Sequence, residues 1–194
     1  MHLAFDIFQG MGVAAALGIR PFLPSLAAGA LAAGDVEIHF DHTGYHFLQS
    51  APFLVVMVVL AIFLALIEAR RGLDDGPLAI VFGVVSLVLG ALFFAGSLDR
   101  GGYSPAAGII GGVLCAAVGL AASRPFLARL RSRLDRESAA VGVPLVAEGI
   151  ALIAAVLSVL APPVGVFVLA WLLSLLWRGR GKQQRKYAGL RILR

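Results

Sequence analysis

Long apolar runs, separated by short polar stretches, dominate the pattern of the chain. A helix needs about 20 apolar residues to cross a bilayer, within a range of about 17–25. Four runs meet this length: 52–68, 77–95, 105–122 and 143–161. A fifth run, 164–177, is shorter but uninterrupted, and a sixth, 3–19, is broken only by Asp6 and Gln9. The pattern predicts an all-α, polytopic helical membrane protein.

The segment 21–34 is the ambiguous element of this pattern. It is apolar but only 14 residues long, and at about 1.5 Å per residue it is shorter than the bilayer core. We therefore predict that it re-enters the membrane, which gives six spans. If it crosses instead, there are seven spans, the N-terminus is outside and Arg20 is inside. The distribution of positive charge favours seven spans by this one arginine, whereas segment length favours six.

A tetrapeptide repeat also favours six spans. Arg-Pro-Phe-Leu at 20–23 recurs at 124–127, and each copy follows a span rich in glycine and alanine. Three spans in each half would make the second copy enter the membrane upside down, as in inverted-repeat transporters. Small residues at four-residue spacing predict close contact between the two glycine-rich spans. The predicted divisions are membrane repeat 1 at 1–98, membrane repeat 2 at 99–177 and a basic tail at 178–194.

Composition agrees with membrane residence. The chain is 60% hydrophobic and 14% charged, whereas soluble domains average about 45–50% and about 25%. This excludes an ordinary soluble enzyme. The metalloprotease motif HExxH and the hydrolase motif GxSxG are absent, so we expect no catalytic residues and no cofactor.

The positive charges predict the orientation of the chain. Of the 16 lysines and arginines, all but Arg20 and Arg100 fall on one side when the later spans alternate, and that side is cytoplasmic. The tail then lies on the cytoplasmic side of a bacterial inner membrane, where its positive charge binds anionic lipid rather than nucleic acid. The loop 35–50, without lysine or arginine, faces outward. The pattern of residues 124–138 predicts an amphipathic helix on the cytoplasmic surface.

The segment 18–24, Gly-Ile-Arg-Pro-Phe-Leu-Pro, carries the clearest candidate chemistry. Its two prolines remove backbone donors and favour a broken helix, which membranes tolerate where it lines a cavity. A new helix starting at Pro21 would direct free N–H groups toward the break, and Arg20 adds a full positive charge. The alternative is that Arg20 marks a helix end and binds lipid headgroups. The predicted substrate-binding residues are Gly18, Arg20, Pro21, Pro24, Arg124 and Pro125.

Two carboxylates are candidates for proton coupling. Glu148 lies inside a span, where an ionisable residue is a functional hypothesis by default; alternatively it pairs with Arg124 or Arg129 from the neighbouring loop. Asp6 is near the end of its span, where it can simply contact water. Glu68 is interpreted as an interfacial charge.

Metal binding is not expected. His39, Asp41, His42 and His46 form an outward cluster of ligand types that suit transition metals, but their spacing matches no metal site. The single cysteine, Cys115, excludes a disulfide within the chain.

The segment 18–33 resembles an uncharacterised family of small bacterial inner-membrane proteins, a domain of unknown function with a Gly-Ile/Leu-Arg-x-Phe/Tyr-Leu-Pro motif. The tail residues 187–191, Tyr-Ala-Gly-Leu-Arg, also resemble the end of that family. The resemblance implies membrane location and no known activity. Residues 20–29 are more weakly similar to the re-entrant segment of DedA-type lipid-phosphate translocases, without the acidic half of that pattern.

Two functions follow from these observations. The first is a small transporter or channel for a small anion or an anionic lipid headgroup, with Glu148 coupling protons; so small a chain can need a homodimer to enclose a pathway. The second is a scaffold or assembly factor that recruits lipid or a protein partner through its basic face. A scaffold predicts a solid bundle, without a polar cavity around Arg20.

Overall fold

The computed structural model describes residues 2–71 and 77–188. Seven α-helices lie in these two ranges: α1 His2–Ile19, α2 Phe22–Ala33, α3 Ala51–Arg71, α4 Pro77–Arg100, α5 Pro105–Arg131, α6 Arg136–Leu160 and α7 Pro163–Ala188. A short 3-10 helix, His46–Gln49, precedes α3, and the described part of the chain has no strand. The all-α prediction is confirmed. The end of the predicted basic tail, 189–194, lies outside the described residues.

Four of the helices are long and apolar enough to cross a membrane. Their candidate spans are Ala51–Glu68, Leu78–Arg100, Pro105–Arg131 and Val141–Leu160. Leu3–Ile19, Phe22–Ala33 and Pro163–Arg178 are shorter apolar helices. Large apolar side chains such as Val55, Ile62 and Phe167 are more than half exposed, as expected where lipid rather than water covers the surface. The chain is therefore a helical membrane protein.

Helix α1 forms the centre of the bundle. It packs against α4, α5, α6 and α7, and residues 13–17 are at most 1% exposed. Its approach to α5 depends on glycine: a Cβ on Gly18 would collide with the carbonyl oxygen of Ala116, and one on Gly119 with that of Ala15. Small residues thus allow the close contact between the two glycine-rich helices that their spacing predicts.

The helix break at Arg20 is shorter than predicted. Arg20 and Pro21 lie between α1 and α2, and Pro21 is the N-cap of α2. Pro24 belongs to the first turn of α2, where a helix leaves its N–H groups without intrahelical partners and a proline costs little. The break therefore comprises residues 20–21, and Pro24 does not extend it.

The path of α2 does not confirm the re-entrant prediction. The Phe22 ring packs edge-on against Phe82, near the start of α4. The carbonyl oxygen of Glu37, just beyond α2, accepts a hydrogen bond from Arg100 at the end of α4. The chain therefore travels the length of α4 and arrives at the opposite end of the bundle. The 12 residues of α2 extend about 18 Å, and the residues after Ala33 complete the distance.

Helix α5 also differs from its prediction, because it continues through Pro125 to Arg131. A single proline removes one N–H and leaves one carbonyl without its helical donor, which a long, well-packed helix can tolerate at a cost in stability. The predicted break at Arg124–Pro125 is absent. Residues 126–131 extend α5 instead of forming a separate surface helix.

Helix α6 begins at Arg136, before the apolar run on which the prediction rested. Asp135 is its N-cap and accepts a hydrogen bond from the backbone N–H of Ser138 at 3.1 Å. That hydrogen bond lowers the pKa of Asp135, because it favours the ionised carboxylate. A polar cap outside the apolar run thus sets the start of the helix.

Candidate functional site

A cavity of about 810 Å³ lies at one end of the bundle, beneath the break between α1 and α2. Parts of α3, α4, α5 and the first half of α6 complete its wall. Its charged lining residues are Arg20, Glu68, Arg124 and Arg131, and its hydroxyl groups come from Ser86, Ser123 and Ser132. Leu64, Phe82, Leu120, Leu127 and Val143 supply much of the apolar wall. A space with apolar walls and a few convergent polar groups is typical of a ligand site.

Arg20 and Glu68 form a two-pronged ion pair in this cavity. Nη1 of Arg20 donates to Oε2 of Glu68 at 2.9 Å, and Nη2 donates to Oε1 at 2.8 Å. The side chains are only 12% and 7% exposed. The planar guanidinium matches the carboxylate with two parallel bonds, the strongest arrangement for such a pair. Because Glu68 neutralises Arg20, the buried arginine is not an unoccupied anion site.

Glu148 approaches Arg20 from a different helix. Its Oε1 lies 3.9 Å from Nε of Arg20, and its side chain is 21% exposed. Oε2 of Glu148 and Nε of Arg20 are both buried and have no hydrogen-bond partner among the described residues. Glu148 therefore lies beside Arg20, not in an ion pair with Arg124 or Arg129, and the site holds one arginine between two carboxylates.

A second polar cluster closes the opposite end of the bundle. Arg100 donates to Oδ1 of Asp6, to Oε1 of Gln9 at 3.1 Å and to the carbonyl oxygen of Glu37 at 2.9 Å. Nε2 of Gln9 donates to the carbonyl oxygen of Val159 at 3.1 Å. Asp6 and Gln9 are 4% and 1% exposed. Asp6 is thus buried and ion-paired at the end remote from Glu148, and is not at a water-exposed helix end; its role in proton coupling stays a prediction.

The other predicted site residues divide between the cavity and the packing. Pro21, Arg124 and Pro125 line the cavity, whereas Pro24 is buried within α2. Gly18 packs against the backbone of α5.

The two copies of Arg-Pro-Phe-Leu lie at the same end of the molecule, since Arg20 and Arg124 line one cavity. An inverted repeat would place them at opposite ends, because its two-fold axis lies in the membrane plane. The inverted-repeat prediction therefore does not match the positions of the two motifs.

Three charged residues of these clusters were not predicted: Glu68, Arg100 and Arg131. Glu68 was interpreted as an interfacial charge, yet it is the nearest partner of Arg20. One signal was available: in the seven-pass arrangement, Arg20 and Glu68 both end helices that run toward the same side.

Two histidines of the 35–50 loop contact two separate carboxylates. Nδ1 of His39 lies 3.4 Å from Asp35, and Nε2 of His46 lies 3.6 Å from Asp41, both on exposed side chains. Within the described ranges, no three histidine, cysteine or acidic side chains are grouped so that they could hold a metal ion. The cluster is a set of separate surface contacts.

Comparison with known proteins identifies the family of the chain. The model of the family DUF4126, a domain of unknown function, matches residues 7–181. The chain belongs to this family, which agrees with the resemblance of the 18–33 segment to an uncharacterised membrane family. No curated protein and no solved structure matches the chain.

Proposed function

We propose that the protein is a small membrane transporter or channel that admits a small anion, or an anionic lipid headgroup, to the cavity beneath the α1–α2 break. The observation that carries this proposal is the cavity itself: it extends from the exposed Arg124 to the buried Arg20–Glu68 pair. A buried ion pair in a membrane protein is costly, and one that lines a cavity typically marks a substrate or ion pathway. A scaffold would need no such cavity.

The arginines in the cavity have different roles in this proposal. Arg124 is exposed on α5 and lines the cavity, so it supplies positive charge that attracts an anion to the entrance. Arg20 is already bonded to Glu68 through both Nη atoms, so it can contact an anion only when that pair loosens. Arg124 is therefore the capture residue, and the Arg20–Glu68 pair closes the inner end of the cavity.

The same reasoning gives a proposed orientation. Arg124, Arg129, Arg131 and Arg133 lie near the end of α5, at the cavity end of the bundle. By the positive-inside rule this end faces the cytoplasm. The chain would then pass the bacterial inner membrane seven times, with α2 as a short pass and the C-terminus cytoplasmic. The cavity would be open to the cytoplasm, and the Asp6–Arg100 cluster would close the outer side.

Anion flux into proteoliposomes tests the proposal. We expect the wild-type protein to carry at least one of four anions: chloride, acetate, inorganic phosphate and a short-chain phosphatidate. Comparison of the first three with the phosphatidate distinguishes a free anion from a lipid headgroup. Arg124→Gln should lower the flux about tenfold at a subsaturating anion concentration, because the anion loses one charge-assisted hydrogen bond. Arg178→Gln, which removes an exposed arginine of α7 outside the cavity lining, should leave the flux unchanged. Equal flux in wild type and Arg124→Gln would contradict the role of Arg124.

A further inference from the structure

The group around Arg20 is unbalanced in charge. One guanidinium faces two carboxylates, Glu68 from α3 and Glu148 from α6, and all three side chains are at least 79% buried. If both carboxylates were ionised, the group would carry one net negative charge in a poorly solvated place. Burial of an uncompensated charge is costly, and a titratable group avoids the cost by becoming neutral.

The two carboxylates differ in their hydrogen bonds to Arg20. Both oxygens of Glu68 accept from Arg20 at 2.8–2.9 Å, as expected for an ionised partner. Glu148 lies 3.9 Å from the unused Nε–H of Arg20, and neither that N–H nor Oε2 of Glu148 is satisfied within the described chain. An ionised Glu148 would be expected to move closer and accept that N–H at about 2.7–2.9 Å. The gap corresponds to an uncharged Glu148.

The cavity lining and the neighbouring helices, as far as the structure describes them, bring no further carboxylate to this group. Helix α2 contains no titratable residue, and α4 contributes Ala79, Phe82, Gly83 and Ser86 to the cavity. Trp171, Leu172 and Leu175 of α7 line a small pocket with Ala147 and Ile150 of α6, and none of these residues is charged. Helix α5 contributes Arg124 and Arg131 farther along the cavity, and these add positive charge without a second proton acceptor.

We infer that Glu148 is a proton-binding site, and that its proton controls whether Arg20 remains bonded to Glu68. A hydronium ion that reaches Glu148, whose side chain is 21% exposed, transfers its proton to a carboxylate oxygen and leaves water. Loss of that proton gives Arg20 a second charged partner, which draws the guanidinium toward α6 and weakens its bonds to α3. The consequence for transport rests on the proposed function: release of the proton from Glu148 is coupled to entry of the anion.

Infrared spectroscopy of the full chain in lipid bilayers tests the proton site without any transport assay. At about pH 6, above the ordinary glutamate pKa of about 4.3, the wild type should retain the carbonyl band of one protonated carboxylic acid. Glu148→Gln should abolish that band. Glu37→Gln, at an exposed position, should leave it unchanged. A band that survives in Glu148→Gln, or no such band in the wild type, would overturn the inference.

A second variant guards against loss of folding. Glu148→Asp keeps an ionisable acid, so we expect its band to shift in frequency rather than disappear; an unshifted band would assign the proton to another residue. If the wild-type protein carries an anion into proteoliposomes, Glu148→Gln should remove the pH dependence of the anion flux. Glu37→Gln should retain that pH dependence. If no anion is carried by any variant, the proposed function fails, and the infrared result still decides whether Glu148 holds a proton.

Discussion

Glu68→Ala is expected to lower the free energy of unfolding by about 3–5 kcal/mol, the cost of leaving one member of a buried ion pair without its partner. The substitution removes both carboxylate oxygens that hold the Nη atoms of Arg20. Arg20 is 12% exposed, so water cannot replace the lost bonds in full. The measurement is the denaturation of the purified protein in detergent, followed by helical circular dichroism.

The double variant Arg20→Met/Glu68→Leu separates the charge effect from lost packing. Replacing a buried pair by apolar residues of similar volume is often neutral or stabilising. We therefore expect the double variant to be more stable than Glu68→Ala, although it changes more atoms. A double variant that unfolds as readily as the single one would show that the uncompensated charge of Arg20 is not the cause.

The second large effect is expected at the crossing of α1 and α5. Gly18→Ala places a Cβ against the carbonyl oxygen of Ala116, and a backbone atom cannot rotate away as a flexible side chain can. Overpacking of a well-packed interior costs about 1–3 kcal/mol, and we expect the upper end of that range. Cooperative loss of helical signal at lower temperature is the readout.

Gly149→Ala is the matched control for this crossing. Its Cβ would meet no atom within 4 Å, and it makes the same chemical change inside a helix, where alanine is favoured over glycine by about 0.5–1 kcal/mol. The two substitutions should therefore have effects of opposite sign. Equal destabilisation by both would mean that close packing at Gly18 does not hold α1 against α5.

Much of the fold follows from local sequence. Apolar run length correctly places the four long spans, because a helix that faces lipid must be apolar over its whole length. Pro21 correctly marks the end of α1, since it has no N–H for a continuing helix. The small residues around Gly119 correctly indicate a close helix contact. Each of these depends only on residues near one another in sequence.

The ion pair between Arg20 and Glu68 could not be predicted from local sequence, because it depends on the path that residues 21–34 take through the bundle. Run length alone predicted that residues 21–34 re-enter the membrane, but α2 and the residues after it extend to the opposite end of the bundle. Arg20 and Glu68 fall at one end of the bundle and pair there. The seven-span alternative, which the count of positive charges favoured by one arginine, is the one that places both residues on the same side.

The repeated tetrapeptide shows that a short motif does not by itself predict a helix break. Arg-Pro-Phe-Leu ends a helix at 20–21 but lies inside α5 at 124–127. The second copy has one proline where the first is followed by Pro24, and α5 is continuous on both sides. Identical local residues thus adopt different structures because tertiary packing decides whether one missing hydrogen bond breaks a helix.

The most direct test of an anion pathway through the cavity is protection of a cysteine placed in its wall. In a Cys115→Ala background, Ser123→Cys should react with a small, membrane-impermeant thiosulfonate added at the Arg124 end, and the transported anion should slow the reaction. Ser97→Cys, which replaces a side chain that is 1% exposed and bonded to the carbonyl oxygen of Phe93, should not react from either side. Labelling of Ser123→Cys that no anion of the flux panel slows would contradict the proposal that the anion occupies this cavity.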